Sequence, residues 1–225
     1  MCSRFTLRTR DRIKLKGLYD SHLPFEARYN IAPGQNVAAI GDFGTGLELT
    51  ALSWGLIPSW SAEEKGFINA RAETLEDKPS FGESFRLRRC LIPADGFFEW
   101  ERVGRSKRPF YFQLSDESQF AFAGIWDQWR SGDKSIKSCA IITTPANELI
   151  EPLHDRMPAI LRPESYRVWL DPKTDPGVLK EILAPFASSK MKSYPVSSAV
   201  NHPENDNKDL IERVDYEVGT TRSLF

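Results

Sequence analysis

The chain has 225 residues, a formal net charge of −1 and 40% hydrophobic residues. This length and apolar content suit one large domain or two small ones. The near-zero charge excludes a protein that is basic overall, so a nucleic-acid site has to be a local patch. The sequence has no long apolar run, secretory signal or lipidation motif. We therefore expect an intracellular, cytoplasmic protein, nucleoid-associated in a bacterium, without membrane contact.

Three cysteines and three histidines lie at wide spacings. They fit neither a disulfide framework nor a metal site, so we predict no metal and no cofactor.

The second residue, Cys2, carries a thiol and, once Met1 is removed, a free α-amine. We expect this removal because cysteine is small. Part of the amine is uncharged at neutral pH. An aldehyde that meets this pair forms an imine with the amine, and the thiol then closes a five-membered thiazolidine ring. The simpler interpretation is a small residue that opens a strand, and this stretch alone favours it.

Alternating apolar residues predict strands over residues 2–8, 36–40 and 47–54, and a glycine-rich hairpin loop over 41–46 joins the last two. That loop lacks the Gly-Lys-Ser/Thr ending of a P-loop. The segment 9–20 is predicted to be a short helix, because its apolar residues form an imperfect helical face.

The middle of the chain is predicted to be less regular. Gly55 and Pro58 interrupt residues 54–60, residues 67–74 lead from an extended segment into a short helix, and residues 76–89 are predicted to be a polar surface loop.

The second half of the chain predicts several further strands, and the spacing of the aromatic and β-branched segments 109–114, 120–129 and 138–144 suggests an antiparallel meander. The predicted strands are two within residues 90–101, then 109–114, 120–129 and 138–144, a loop from 154 running into a strand by 161, and a last strand at 192–196. A basic hairpin turn at 102–108 and helices at 163–170 and 176–184 complete the pattern. The polar end from about residue 211 is expected to be loosely ordered. We predict an α+β fold: a single domain over 1–225 with curved antiparallel sheets forming a barrel-like β core and short peripheral helices.

Three polar residues, Asn69, Glu99 and His154, interrupt apolar stretches. Flanking aromatic residues desolvate a carboxylate and raise its pKa, which suits Glu99 to proton transfer near neutral pH. An imidazole titrates in that range anyway. Arg71 shares a strand face with Asn69. The same alternation puts Glu101 on the face of Glu99, so the pattern does not choose between these two, and an ordinary polar residue remains the alternative for each position.

Cations and aromatic residues together suit a groove for single-stranded nucleic acid, in which bases stack on rings and cations contact phosphates. The cations are Arg4, Arg71, Lys107, Arg156 and the basic run Arg86, Arg88 and Arg89; the aromatic residues are Trp54, Trp60, Phe67 and Trp100. A solvated face and core aromatics are the alternative.

Eight blocks, in chain order, resemble the SRAP (SOS-response-associated peptidase) family, whose members are also called abasic-site processing proteins. The blocks are MCSRF, RYNIAP, WGLIPSW, NARAET, RCLIPADGFFEW, FAFAGIW, TTPAN and HDRMPAIL.

The resemblance implies a covalent crosslink, a thiazolidine on Cys2, to abasic sites in single-stranded DNA, which protects the site during replication-coupled repair. It also implies autocatalytic removal of Met1, lyase activity, crosslink reversal, replication-fork partners and a monomer. It further implies an amine and sugar contact for Asn69, acid–base roles for Glu99 and His154, and phosphate contacts for the arginines. The implied DNA-facing residues are Arg4, Asn30, Pro33, Trp60, Arg71, Trp100 and Arg156.

Two other functions remain open at this stage. One is a thiol peptidase that acts on other proteins, with Cys2 as nucleophile, His154 as base and Glu99 orienting it. The other is a single-strand-binding module without catalysis, whose binding is sensitive to salt and independent of Cys2.

Overall fold

The computed structural model describes residues 3–8, 12–21, 26–104 and 106–216. Within these ranges the chain forms short helices around many strands. The strands are β1 Phe5–Leu7, β2 Ile13–Leu15, β3 Tyr19–Ser21, β4 Arg28–Ile31, β5 Asn36–Asp42, β6 Leu47–Trp54, β7 Asn69–Arg71, β8 Arg89–Ala94, β9 Gly96–Val103, β10 Ser106–Leu114, β11 Phe120–Ser131, β12 Lys134–Pro145, β13 Arg156–Pro158, β14 Ile160–Leu161 and β15 Met191–Pro195. The α-helices are α1 Gly82–Leu87, α2 Tyr166–Leu170 and α3 Pro176–Ile182, and 3-10 turns span Ala72–Thr74, Pro163–Ser165, Ser188–Lys190, Ser198–Asn201 and Lys208–Ile211.

Five strands close into a barrel in the order β12-β6-β5-β8-β11, and β11 pairs back to β12. The contact that closes the ring is parallel and aligns Cys139 with Trp54, whereas the other four pairings are antiparallel. Aliphatic and aromatic side chains with almost no exposure fill the core of this barrel, as the apolar runs of these strands require.

A second sheet, in the order β15-β10-β9-β1-β4, packs against the barrel. Phe5 on β1 makes edge contacts with Trp54 and Phe122 of the barrel, with ring centroids 5.2 and 5.6 Å apart. Edge-to-face contact is a favoured geometry for aromatic rings, so these contacts stabilise the packing of the second sheet on the barrel. The second sheet carries Glu99 on β9, whereas Asn69 and Arg71 on β7 and Arg156 on β13 join the barrel sheet through β12.

The predicted helix over residues 9–20 is wrong for the part that the structure describes. Residues 13–15 and 19–21 form a hairpin instead, and Ile13 and Leu15 are buried on either side of exposed Lys14. Gly17 has a φ of +79°, a left-handed conformation that glycine adopts easily and a helix cannot contain. The alternation of buried and exposed residues, which is typical of a strand, therefore describes this segment better than the imperfect helical face.

Two further expectations are corrected. Residues 82–87 of the predicted surface loop form α1, because Phe85 on it is completely buried and gives the helix an apolar anchor. The predicted meander is wrong at its first step, since β10 pairs with β9 and β15 instead of β11. Its second step is confirmed, because β11 and β12 pair antiparallel.

The predicted fold class is confirmed: an α+β domain with curved sheets, a barrel core and short peripheral helices. Residues 211–216 of the polar end contact β15, since Val214 donates from its backbone N–H to Pro195 and the Tyr216 hydroxyl donates to the carbonyl of Val196. Residues 217–225 lie outside the described residues, so the domain limits remain a prediction. No helix in the described part is long and apolar enough to cross a membrane.

Candidate functional site

Strand β9 places two of the predicted site residues on opposite faces of the second sheet. Glu99 is two residues after Phe97 and shares its strand face, which belongs to the main core. Trp100 is two residues after Phe98 and shares the opposite face, which packs into a smaller apolar cluster behind the sheet. The alternation of β-strand side chains accounts for this division. The predicted site therefore has a core-side half and an outer half.

Glu99 has a side chain that is only 2% exposed. Burial raises the pKa of its carboxyl from an ordinary value near 4.5 to about 7, and the nearby negative charge of Asp155 acts in the same direction. Glu101 is partly exposed. The choice that the sequence left open therefore falls to Glu99, whose proton can be gained or lost near neutral pH.

His154 ends the turn that follows β12. Its Nδ1 accepts a hydrogen bond of 2.9 Å from the backbone N–H of Arg156, which leaves Nε2 to carry the proton of the neutral ring. Asp155 Oδ1 also lies 2.9 Å from Nδ1, a contact that becomes an ion pair only when the ring is protonated. Burial lowers the pKa of His154, and the positive charge of Arg102 on β9 acts in the same direction. A neutral Nε2–H donor is therefore the favoured form.

Asn69 and Arg71 lie on β7, on either side of buried Ala70. Because strand side chains alternate, both point away from the face that Ala70 buries, as the sequence predicted. The carbonyl of Ile68 accepts a 2.8 Å hydrogen bond from the Trp54 indole, and Trp54 also contacts Phe5 of β1. One buried tryptophan thus connects the start of β7 to the N-terminal strand.

Arg156 is paired with a residue that the sequence analysis did not single out. Its guanidinium donates two hydrogen bonds to the Glu73 carboxylate, of 2.6 and 2.9 Å, and a third to the carbonyl of Thr143. This hydrogen bonding lowers the pKa of Glu73, and Arg71 adds a weaker effect in the same direction. Glu73 therefore pairs with Arg156 and lies within the electrostatic influence of Arg71. The sequence gave no signal of this pairing.

The outer half centres on residues 197–206, here called the C-terminal strap. Arg4 donates from Nη1 to Asn30 Oδ1 at 3.0 Å and to the carbonyl of Val200 at 2.7 Å. Asn30 is completely buried and donates to the carbonyls of Val200, His202 and Asn205. Its side chain thus fastens the strap and orients Arg4, an internal role that the sequence did not indicate.

The aromatic residues differ in exposure. Trp54 is completely buried and is therefore excluded from stacking on bases, whereas Trp60 is 64% and Phe67 is 45% exposed. Trp60 and Phe67 line one open pocket of about 310 Å³. Trp100 is half-buried, and its indole donates a 2.7 Å hydrogen bond to Asn201.

The remaining predicted residues are distributed around this surface. Pro33 is exposed in the turn after β4. In the basic run, Arg89 is buried and its guanidinium donates to backbone carbonyls, including those of Trp169 and Phe85, while Arg88 pairs with Asp127. Arg88 and Arg89 are thus engaged within the protein rather than presented to a ligand.

Cys2 lies outside the described residues. Ser3 is the first described residue, and the register of β1 with β9 pairs Phe5 with Phe97. The Phe98 backbone N–H also donates to the carbonyl of Arg4. Continuing that antiparallel register brings Ser3 opposite Glu99. Within the described residues, no group of three or more His, Cys, Asp or Glu is arranged to hold a metal ion.

Comparisons with known proteins bear on the family of this chain. Residues 1–203 match the family described as SOS response associated peptidase (SRAP). The chain is 45% identical over 222 residues to the abasic site processing protein YoqW of Bacillus subtilis (strain 168), covering 94% of this chain and 99% of YoqW. It is 32% identical over 190 residues to the abasic site processing protein YedK of Escherichia coli (strain K12), covering 83% of this chain and 85% of YedK. A crystal structure of a protein from Bacteroides thetaiotaomicron superposes with a TM-score of 0.77 at 32% identity, over 84% of this chain and 87% of that one. The chain therefore belongs to the SRAP family.

Proposed function

We propose that this protein processes abasic sites in single-stranded DNA by forming a covalent thiazolidine through Cys2. The observation that carries the proposal is Glu99: a carboxyl with a pKa of about 7 stands beside the strand that leads back to residue 2. Ser3, which follows Cys2 directly in the sequence, lies opposite this carboxyl when the register of β1 with β9 is continued. Relatives named as abasic site processing proteins support the same substrate.

The chemistry uses both nucleophiles of Cys2 after Met1 is removed. The uncharged α-amine attacks C1′ of the open-chain abasic sugar, and loss of water gives an imine. The thiol then adds across the carbon–nitrogen double bond and returns its proton to nitrogen, which closes the ring without an external oxidant or reductant. The same imine permits β-elimination, which is lyase chemistry, and the reverse steps release the DNA.

Two residues are assigned to proton transfers, and a third contacts the reacting groups. Glu99 takes a proton from the α-amine, because a base of this pKa exchanges protons efficiently near neutral pH. The protonated form of His154, whose Nδ1 pairs with Asp155, gives its Nε2 proton to the sugar ring oxygen as the ring opens. In the resting neutral form, Nδ1 accepts from the Arg156 backbone N–H. Asn69 contacts the amine and the sugar from the start of β7.

The surrounding surface is assigned to the DNA strand. Arg4, Arg71 and Arg156 contact phosphates, while exposed aromatic rings supply stacking for bases. Trp60 and Trp100 are assigned to that stacking, and Pro33 lies at the edge of the groove. Asn30 contributes by orienting Arg4. We place the activity inside the cell, at sites where single-stranded DNA is exposed during replication.

The test is an incubation of the purified protein with an oligonucleotide that contains one abasic site. Wild-type protein should give an adduct that survives denaturation, and Cys2→Ala should give none, whereas the control Ser3→Ala should react. Glu99→Gln should slow the adduct at least tenfold without weakening DNA binding, while Glu101→Gln on the same strand should leave the rate unchanged.

Blocking the N-terminal amine separates this chemistry from that of a thiol peptidase. Protein that keeps Met1, or whose Cys2 amine is acetylated, retains the thiol but cannot close the ring. A normal adduct from either form would refute the thiazolidine. Cleavage of a protein substrate by the acetylated form, dependent on Cys2, would instead favour the peptidase function in the family's description.

A further inference from the structure

We infer that Asn201 is a positioning residue that sets the Trp100 ring for stacking against DNA. The inference rests on the proposed function, because it concerns the same DNA-facing surface. It rests physically on one hydrogen bond: the Trp100 indole Nε1 donates to Asn201 Oδ1 at 2.7 Å across a sequence separation of 101 residues.

This hydrogen bond fixes the orientation of the Trp100 ring, which apolar packing covers only in part. Trp100 is half-buried and lies against the small cluster behind the sheet, with its ring centroid 6.5 Å from that of Phe98. An indole has one hydrogen-bond donor and no acceptor. A single well-placed acceptor oxygen therefore determines the orientation of the Trp100 ring. A ring that is already oriented loses less conformational entropy when a base stacks on it.

The strap that carries Asn201 is anchored independently of Trp100. Ser197 caps its 3-10 turn by accepting from the Ala199 backbone N–H at 3.2 Å. Val200, the neighbour of Asn201, is completely buried. Asn205 donates from its side chain to the carbonyl of Ala199 at 2.9 Å. With the hydrogen bonds from Asn30, these contacts give the Asn201 side chain a rigid base.

The same turn also touches Arg4, but through the backbone. Arg4 donates to the carbonyls of Val200 and Asn201 at 2.7 and 3.3 Å. Replacing the Asn201 side chain with a methyl group leaves both carbonyls in place. Asn201→Ala should therefore disturb stacking by Trp100 while it preserves the phosphate contact of Arg4, and the two effects can be measured separately.

The binding test uses a single-stranded oligonucleotide with a tetrahydrofuran abasic analogue, which has no aldehyde and cannot crosslink. Loss of a stacking ring in Trp100→Ala should weaken binding about tenfold, and Asn201→Ala about three- to fivefold. The double variant should bind no more weakly than Trp100→Ala, because Asn201 acts through that ring. The dependence of log Kd on log salt should keep its slope in Asn201→Ala, since no phosphate contact is lost.

A matched control is Asn207→Ala, which removes the cap of the next 3-10 turn, where Asn207 Oδ1 accepts from Asp209 at 3.0 Å. This variant should bind like wild type. The inference would be overturned if Asn201→Ala or Trp100→Ala bound DNA with wild-type affinity. It would also be overturned if the losses of affinity multiplied in the double variant, or if Asn207→Ala lost as much affinity as Asn201→Ala.

A second readout does not depend on DNA. In a ¹⁵N spectrum, the indole N–H signal that disappears in Trp100→Ala should move upfield in Asn201→Ala, while the other indole signals stay in place. An unmoved signal would overturn the inference even if DNA binds. Wild-type protein that neither binds nor crosslinks the oligonucleotide would refute the proposed function, and the indole signal would still decide whether Asn201 positions the ring.

Discussion

Replacing Glu99 with glutamine should remove a pH dependence from the stability of the fold. In the unfolded chain this carboxyl ionises near its ordinary pKa of 4.5, whereas in the folded protein burial raises the pKa to about 7. The native state therefore binds more protons between these values, and stability falls as the pH rises through this window. At 1.36 kcal/mol for each pH unit, the loss is about 3 kcal/mol and is complete above about pH 7.5. Glutamine remains neutral at every pH and escapes this loss.

Urea denaturation followed by tryptophan fluorescence near pH 4.5 and near pH 8 measures the effect. The difference in free energy of unfolding between Glu99→Gln and wild type should shift by about 3 kcal/mol in favour of the variant at the higher pH. This corresponds to a rise in Tm of roughly 6–12 °C relative to wild type for a chain of this size. Glu101→Gln, two residues along the same strand and partly exposed, should show no comparable shift. Equal pH dependence in Glu99→Gln and wild type would mean that the buried carboxyl does not keep its proton to neutral pH.

Two further substitutions test how the second sheet is held together. Asp206→Asn should lower the free energy of unfolding by about 2–4 kcal/mol, because Asp206 accepts from the Arg28 side chain and from two backbone N–H groups of β4. The control Asp215→Asn, at an exposed position, should leave stability unchanged. Equal urea midpoints for the two variants would contradict the role of Asp206. Gly96→Ala should lower stability by about 3 kcal/mol or more, because the added Cβ would lie 2.0 Å from the buried Tyr111 hydroxyl. An unchanged midpoint there would mean that the aromatic ring moves freely out of its place.

Local signals in the sequence predicted the structure correctly where neighbouring residues alone determine it. The hairpin loop over 41–46 and the strand Leu47–Trp54 agree with the prediction, because glycines with positive φ at 44 and 46 fix the turn. The partition of residues between the barrel and the second sheet could not be predicted. Strands such as β10 and β11 have similar composition, and their partners lie far away in the chain.

The same limit applies to the candidate site. The aromatic neighbours of Glu99 predicted a raised pKa, and its burial accounts for one. Arg156 and Glu73, which form an ion pair, are 83 residues apart in the chain. Trp100 and Asn201, which form a hydrogen bond, are 101 residues apart. Side-chain type gives no signal of such contacts, so they emerge only once the strands are assembled.

The parallel contact that closes the barrel also has a consequence for how the chain folds. Ser53 and Trp54 of β6 meet Ser138 and Cys139 of β12, and much of the chain, including β8 and β11, has to be arranged before they can do so. The entropy lost in closing so long a loop is repaid only when the neighbouring antiparallel pairs already exist. We expect ring closure to be a late event in folding, so that partly folded chains expose the open edges of β6 and β12 to association with one another.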